Sequence, residues 1–154
     1  MNEMNTVQSE KRAIWYACLL GCLVLAAMLP VIAVRLPSVS AKLFVKLWGE
    51  GYFDGTYKVD LSAYLVLAVV SALSLALACF SVIRAVSRGK QLSSTLAVPC
   101  WVAFVCDCVL WFLMLVMDEQ MVFGPVSRPL LLFAMGLNIC ATLLLRALCG
   151  SEDE

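Results

Sequence analysis

Only a few side chains in this sequence could do chemistry, and they are set in long apolar runs. Asp107 is the single charge in the stretch Leu96–Met117 (LAVPCWVAFVCDCVLWFLMLVM) and lies near its middle. A helix of that length, rising about 1.5 Å per residue, crosses the roughly 30 Å hydrocarbon core of a bilayer. An ionisable group at that depth costs about 2.5–3.5 kcal/mol on insertion scales, so it turns toward protein or water. Two roles fit such a carboxyl: hydrogen-bonded glue between helices, or a proton or cation carrier. Glue requires polar partners at the same depth. Asn138 is central in the fourth apolar run, and Ser71 and Ser74 are central in the second. We therefore expect Asp107 to bond Asn138, joined by a serine. The sequence places no second ionisable residue at that depth, which makes Asp107 a poor proton relay.

The other reactive residues are eight cysteines: Cys18, Cys22, Cys79, Cys100, Cys106, Cys108, Cys140 and Cys149. None falls in an expected extramembrane loop, so no disulfide framework of the secreted kind is read. They read as small polarizable packing residues. No CxxC pair occurs, and Cys106 and Cys108 flank Asp107 on different sides of a helix. A quinone-linked thiol–disulfide oxidoreductase is disfavoured accordingly. Cys149, just past the last run and beside Arg146, suits reversible palmitoylation, with a plain helix-end cysteine as the alternative.

These residues must be positioned by membrane helices. The chain is 63% hydrophobic and 14% charged, far above the ~45–50% apolar content of soluble domains. Net charge is zero, which leaves no electrostatic footprint for nucleic acid. Histidine is absent, removing the usual general base and the commonest metal ligand. With no acid cluster at either membrane face and no nucleophile beside a base, no catalytic, cofactor or metal site is expected.

Taken in order, residues 1–12 form a polar tail ending in Lys11-Arg12, and the first span covers about 13–34. Ala17, Cys18, Gly21, Cys22 and Ala26 recur at three- and four-residue intervals, a small-residue flank suited to close helix packing. Residues 35–60 form the one sizeable loop. Within it, Leu43, Val45 and Leu47 alternate with Lys42 and Lys46 as in a strand. Leu43, Phe44, Leu47 and Trp48 equally share a helical face, as in an interfacial helix. Gly49, Gly51 and Gly55 then mark turns, followed by ring anchors Tyr52, Phe53 and Tyr57.

The second span covers about 61–83, with Ser71, Ser74, Ala78 and Ser81 on one stripe. The third covers about 96–117 and the fourth 129–148, before an acidic tail over 149–154. The fold class is thus an all-α integral membrane protein, an antiparallel four-helix bundle with a first outer loop. The second loop carries Arg84, Arg88 and Lys90 and no acid, which places it and both termini in the cytoplasm. No Asn-x-Ser/Thr sequon occurs, so N-glycosylation of the outer loops is not expected.

Four spans, cytoplasmic ends, a first outer loop bearing Leu47-Trp48-Gly49 and a short second inner loop resemble the amastins, surface proteins of kinetoplastid parasites. Trp111 followed by Leu113-Met114-Leu115-Val116 also looks like the corresponding amastin segment. Family members carry cysteines on both sides of the LWG motif, where this chain has Phe44 and Asp54. The claudins share the Trp-bearing first loop more distantly. The resemblance implies a non-enzymatic surface or membrane-organising protein, with Leu47, Trp48 and Gly49 as loop contacts.

The leading expectation is a multi-pass protein of the plasma membrane, rather than the mitochondrial inner membrane, acting through packing and lateral association. Its partners are then the lipid bilayer and other membrane proteins or itself. An accessory subunit of a larger membrane complex, for example respiratory, is the alternative, followed by a small transporter using Asp107.

Overall fold

The structure, a computed structural model, describes residues 2–48, 61–116 and 126–149, with side chains over 9–36, 63–116 and 126–149. Four helices follow in order: α1 (Asn2–Trp48), α2 (Leu61–Ser87), α3 (Ala97–Val116) and α4 (Ser127–Cys149). Each contains a segment long and apolar enough to cross a membrane: Ser9–Leu36, Ala63–Ser87, Ser94–Val116 and Ser127–Cys149. No more than 33% of the most apolar window of any span is buried inside the bundle. The outward faces are therefore apolar as well, which in water would leave a large sticky surface and in a bilayer is the required lipid-facing one. The chain is a multi-pass membrane protein.

Local sequence explains where the helices start and stop. Pro99 and Pro129 each stand third in their helix, within the first turn, where a missing N–H costs nothing because that donor has no partner in the helix. The α4 helix therefore begins at Ser127, two residues before the proline at which the fourth span was expected to start. At the end of α2, Gly89 takes φ +59°. The N–H of Lys90 reaches the Ala85 carbonyl at 3.0 Å and that of Gly89 the Val86 carbonyl at 3.1 Å. This double closure is the Schellman stop, which needs a left-handed residue and so a glycine. A 3-10 turn, Ser94–Leu96, capped by the Ser93 hydroxyl, then leads into α3.

The interior follows a four–three alternation on every helix. Buried positions are Leu19, Leu23, Ala26, Pro30 and Ala33 on α1, and Tyr64, Ala68, Ser71, Leu75, Ala78 and Val82 on α2. The α3 seam is Leu96, Cys100, Ala103, Asp107, Leu110 and Met114; on α4 it is Ser127, Leu131, Ala134, Asn138, Ala141 and Leu145. Spacing of 3.5 residues is that of a coiled-coil seam, the packing geometry of most membrane bundles. Each helix packs on two neighbours, α1 on α2 and α4, α3 on α2 and α4. One apolar cluster joins Leu19 and Leu23 to Val82, Cys100 and Leu145. The other joins Ala33 and Val34 to Tyr64, Met114 and Leu131. Early α1 thus meets late α2, early α3 and late α4, which fixes the antiparallel alternation.

Two expectations change. Helix α1 runs on through residues 35–48, so of the two periodicities read there the helical one is adopted, and no strand occurs among the described residues. It also takes in residues 2–12, read from sequence as a tail outside the first span. Gly49 and the turn-rich stretch after it lie outside the described residues, as do residues 117–125 and the tail over 150–154.

Candidate functional site

The polar candidates meet at one depth, between the two apolar clusters. Ser71 follows Ala68 of one cluster and precedes Leu75 of the other; Asp107 is bracketed in the same way by Ala103 and Leu110. Asn138 lies between Leu131 and Ala141 on α4, and Pro30 between Ala26 and Ala33 on α1. Ser71, Asp107 and Asn138 are all fully enclosed, at 0% exposure. Helix spacing produces this: each polar residue occupies one seam position of an otherwise apolar four–three repeat, and the three helices align those positions.

Within the layer, the Ser71 hydroxyl donates to Asp107 Oδ1 at 2.8 Å. Asn138 stands beside Asp107, close enough to interact with it. No hydrogen bond of good geometry joins the two, however, and the other carboxyl oxygen, Asp107 Oδ2, has no partner, nor do Oδ1 and Nδ2 of Asn138. The sequence reading gave the leading bond to Asn138 and the secondary one to a serine; the structure reverses that order.

Ser74 does not join the layer. It is half-buried, one position short of Leu75 in the α2 seam, and Ser81 likewise sits half outside with its hydroxyl donated to the Leu77 carbonyl at 2.9 Å. One turn along α3 from Asp107 stands a polar group that the sequence reading did not single out. Trp111 is partly buried, packs against the Leu110–Met114 cluster, and holds an indole Nε1 without a partner. Its spacing of four from Asp107 puts both on one helical face, a signal available in the sequence. Chemically the layer offers one carboxyl, one hydroxyl and one amide, with an indole donor one turn away on α3. Amide and indole N–H groups are the complements a carboxyl oxygen needs.

All eight cysteines are free thiols. The Cys149 thiol, expected as an acylation site, donates to the Leu92 carbonyl at 3.5 Å and so packs the end of α4 onto the α2–α3 connection. Leu47 and Trp48 are the last helical residues of α1, their side chains outside the described set. Among the described residues no group of three or more His, Cys, Asp or Glu is placed to hold a metal ion.

Most of the small-residue flank of α1 faces out of the bundle rather than into its seam. Ala17, Cys18 and Gly21 are exposed and only Ala26 enters the seam, because Leu19 and Leu23 occupy the inward positions. Gly136 and Cys140 of α4 are exposed too, and Cys18 and Cys140 both lie near Cys22, so the two helices share this outer face. A Cβ at Gly21 or Gly136 would meet open space.

Comparison with protein-family models, with curated proteins and with solved structures finds no match.

Proposed function

We propose that this protein acts by lateral association in the bilayer, as a non-catalytic membrane-organising protein. The observation that carries the reading is the exposed α1/α4 face, where Cys18, Gly21, Gly136 and Cys140 leave room for another helix to approach closely. In lipid, helix association depends on such close packing rather than on the hydrophobic effect. The likeness to amastins implies the same kind of role at the plasma membrane. Cytoplasmic termini are supported by Lys11, Arg12, Arg84, Arg88, Lys90 and Arg146 gathering at one end, against Arg35, Lys42, Lys46 and Arg128 among the described residues of the other.

The enclosure of Asp107 weighs against transport. Apolar clusters close the seam on both sides of the layer, and the carboxyl is bonded to Ser71. Oxidative cross-linking in native membranes, using variants that keep only Cys18 or only Cys140, tests association at this face. We expect a covalent adduct of discrete mass, lost in Gly21→Leu and Gly136→Leu. A homodimer mass identifies self-association, and a fixed heteromeric mass identifies the subunit alternative. Absence of any adduct from either cysteine would reject the proposal.

A further inference from the structure

A second feature of the surface lies on the other side of α1. Between the start of α1 and the end of α2 is an open groove of about 850 Å³. Its long wall is apolar, formed by Ala13, Tyr16, Ala17 and Leu20 with Val82, Ile83 and Val86. Its mouth is polar and cationic, with Arg12 on one bank and Lys90 beside Gln91 on the other, and Ser9 and Ser87 between them. Gly89 also lines the mouth, and the Schellman stop there carries the chain back so that Lys90 faces the start of α1.

The chemistry of the groove is graded along its length. Tyr16 through Leu20 and Val82–Ile83 lie inside the membrane spans, whereas Arg12 and Lys90 stand at the boundary. Ala13, Ala17, Ile83 and Val86 are exposed, so the apolar wall opens sideways toward lipid rather than upward to water. At this end Lys11, Arg84, Arg88 and Arg146 add to Arg12 and Lys90, and Glu3 and Glu10 are the acids among the described residues; Glu10 does not line the groove.

We infer that this groove is a binding site for a membrane phospholipid with an anionic headgroup. The headgroup phosphate is held between Arg12 and Lys90, with Gln91, Ser9 and Ser87 as hydrogen-bonding neighbours. An acyl chain lies along Ala13, Ala17, Ile83 and Val86. Basic pockets between helices at a membrane face take lipid headgroups by this combination of charge and wall. A free phosphate ion uses the two cations but has nothing to place on the apolar wall.

The test is native mass spectrometry of the full chain in detergent, titrated with phosphatidylglycerol and with phosphatidylcholine of identical acyl chains. We expect retained phosphatidylglycerol and little phosphatidylcholine. Each basic residue near a charged lipid surface is worth about fivefold in affinity, so Arg12→Ala with Lys90→Ala should weaken binding roughly thirtyfold. Arg84→Ala, at the same end but off the groove, should change it little. Ala17→Trp, which fills the wall and leaves every charge in place, should also abolish retention. These positions are exposed, so the variants keep the fold, and a thermal melt checks that. Equal loss from Arg84→Ala, indifference to Ala17→Trp, or competition by inorganic phosphate would each overturn the proposal.

Discussion

Two faces of the same helices are built from small and polar residues, and they differ in what surrounds them. Inside, Ser71, Asp107 and Asn138 occupy seam positions and are closed off by leucines, alanines and a methionine. Outside, Cys18, Gly21, Gly136 and Cys140 stand clear of the bundle, with open space over both glycines. Composition alone does not separate these faces. What separates them is register: the four–three alternation of Leu19, Leu23, Ala26, Pro30 and Ala33 defines inside on α1, and Ala17, Cys18 and Gly21 miss it.

Substitutions of similar size should therefore have opposite consequences on the two faces. The largest effect is expected in the apolar clusters beside the polar layer. Leu75→Ala and Leu110→Ala each empty a fully buried position and should destabilise by about 2–5 kcal/mol, read from denaturant titration of the detergent-solubilised protein. Values near zero would mean that these leucines face lipid and that the seam is misplaced.

A smaller effect is expected within the polar layer. Ser71→Ala removes the one hydrogen bond that Asp107 makes there and should cost about 0.6 kcal/mol, with 1.7 as the upper end for such bonds in membranes. Asn138→Leu should cost less still, or stabilise, because both amide atoms lack partners and an apolar group of similar size carries no desolvation penalty. A loss from Asn138→Leu larger than that from Ser71→Ala would restore Asn138 as the principal partner of Asp107. Asp107→Asn keeps the shape and hydrogen-bonding capacity, so folding and localisation should persist. Loss of an ion or proton flux in that variant, with folding intact, would instead make the carboxyl a carrier.

The smallest effect on stability is expected outside. Gly21→Leu should leave stability within about 0.5 kcal/mol, as for surface positions generally, while removing the cross-linked adduct formed through Cys18. A stability loss comparable with that of Leu75→Ala would show Gly21 to be an interior residue.

The sequence carries the four spans because each is a long run with few charges, and length against bilayer thickness needs no tertiary information. Depth was legible for the same reason: Asp107, Asn138 and Ser71 each lie mid-run, and antiparallel helices bring mid-run residues together. Hydrogen-bond partners were not legible, because a turn of about 60° with a slide of about 4.5 Å along one helix exchanges Ser71 for Ser74 beside the same carboxyl. The facing of the α1 small-residue flank was also hidden, since three- and four-residue spacing fits an inner seam and an outer contact face alike. Residues 35–48 supported strand and helix equally; continuation of α1, which satisfies every backbone group within the helix, decides for the helix. Trp111 entered the sequence reading only in the segment that looks like an amastin's, although its spacing from Asp107 already placed it on the same face.

The most direct test of the account is disulfide trapping between Ser71→Cys and Asp107→Cys in a background whose eight native cysteines are replaced. With the hydroxyl and carboxyl 2.8 Å apart inside the seam, oxidation in the membrane should close an intramolecular bond in most molecules, leaving the chain monomeric on a denaturing gel. Pairing Asp107→Cys with Val66→Cys on the outward face of α2 should give none. Intermolecular dimers through position 107, or no bond between 71 and 107, would contradict an inward carboxyl held by α2.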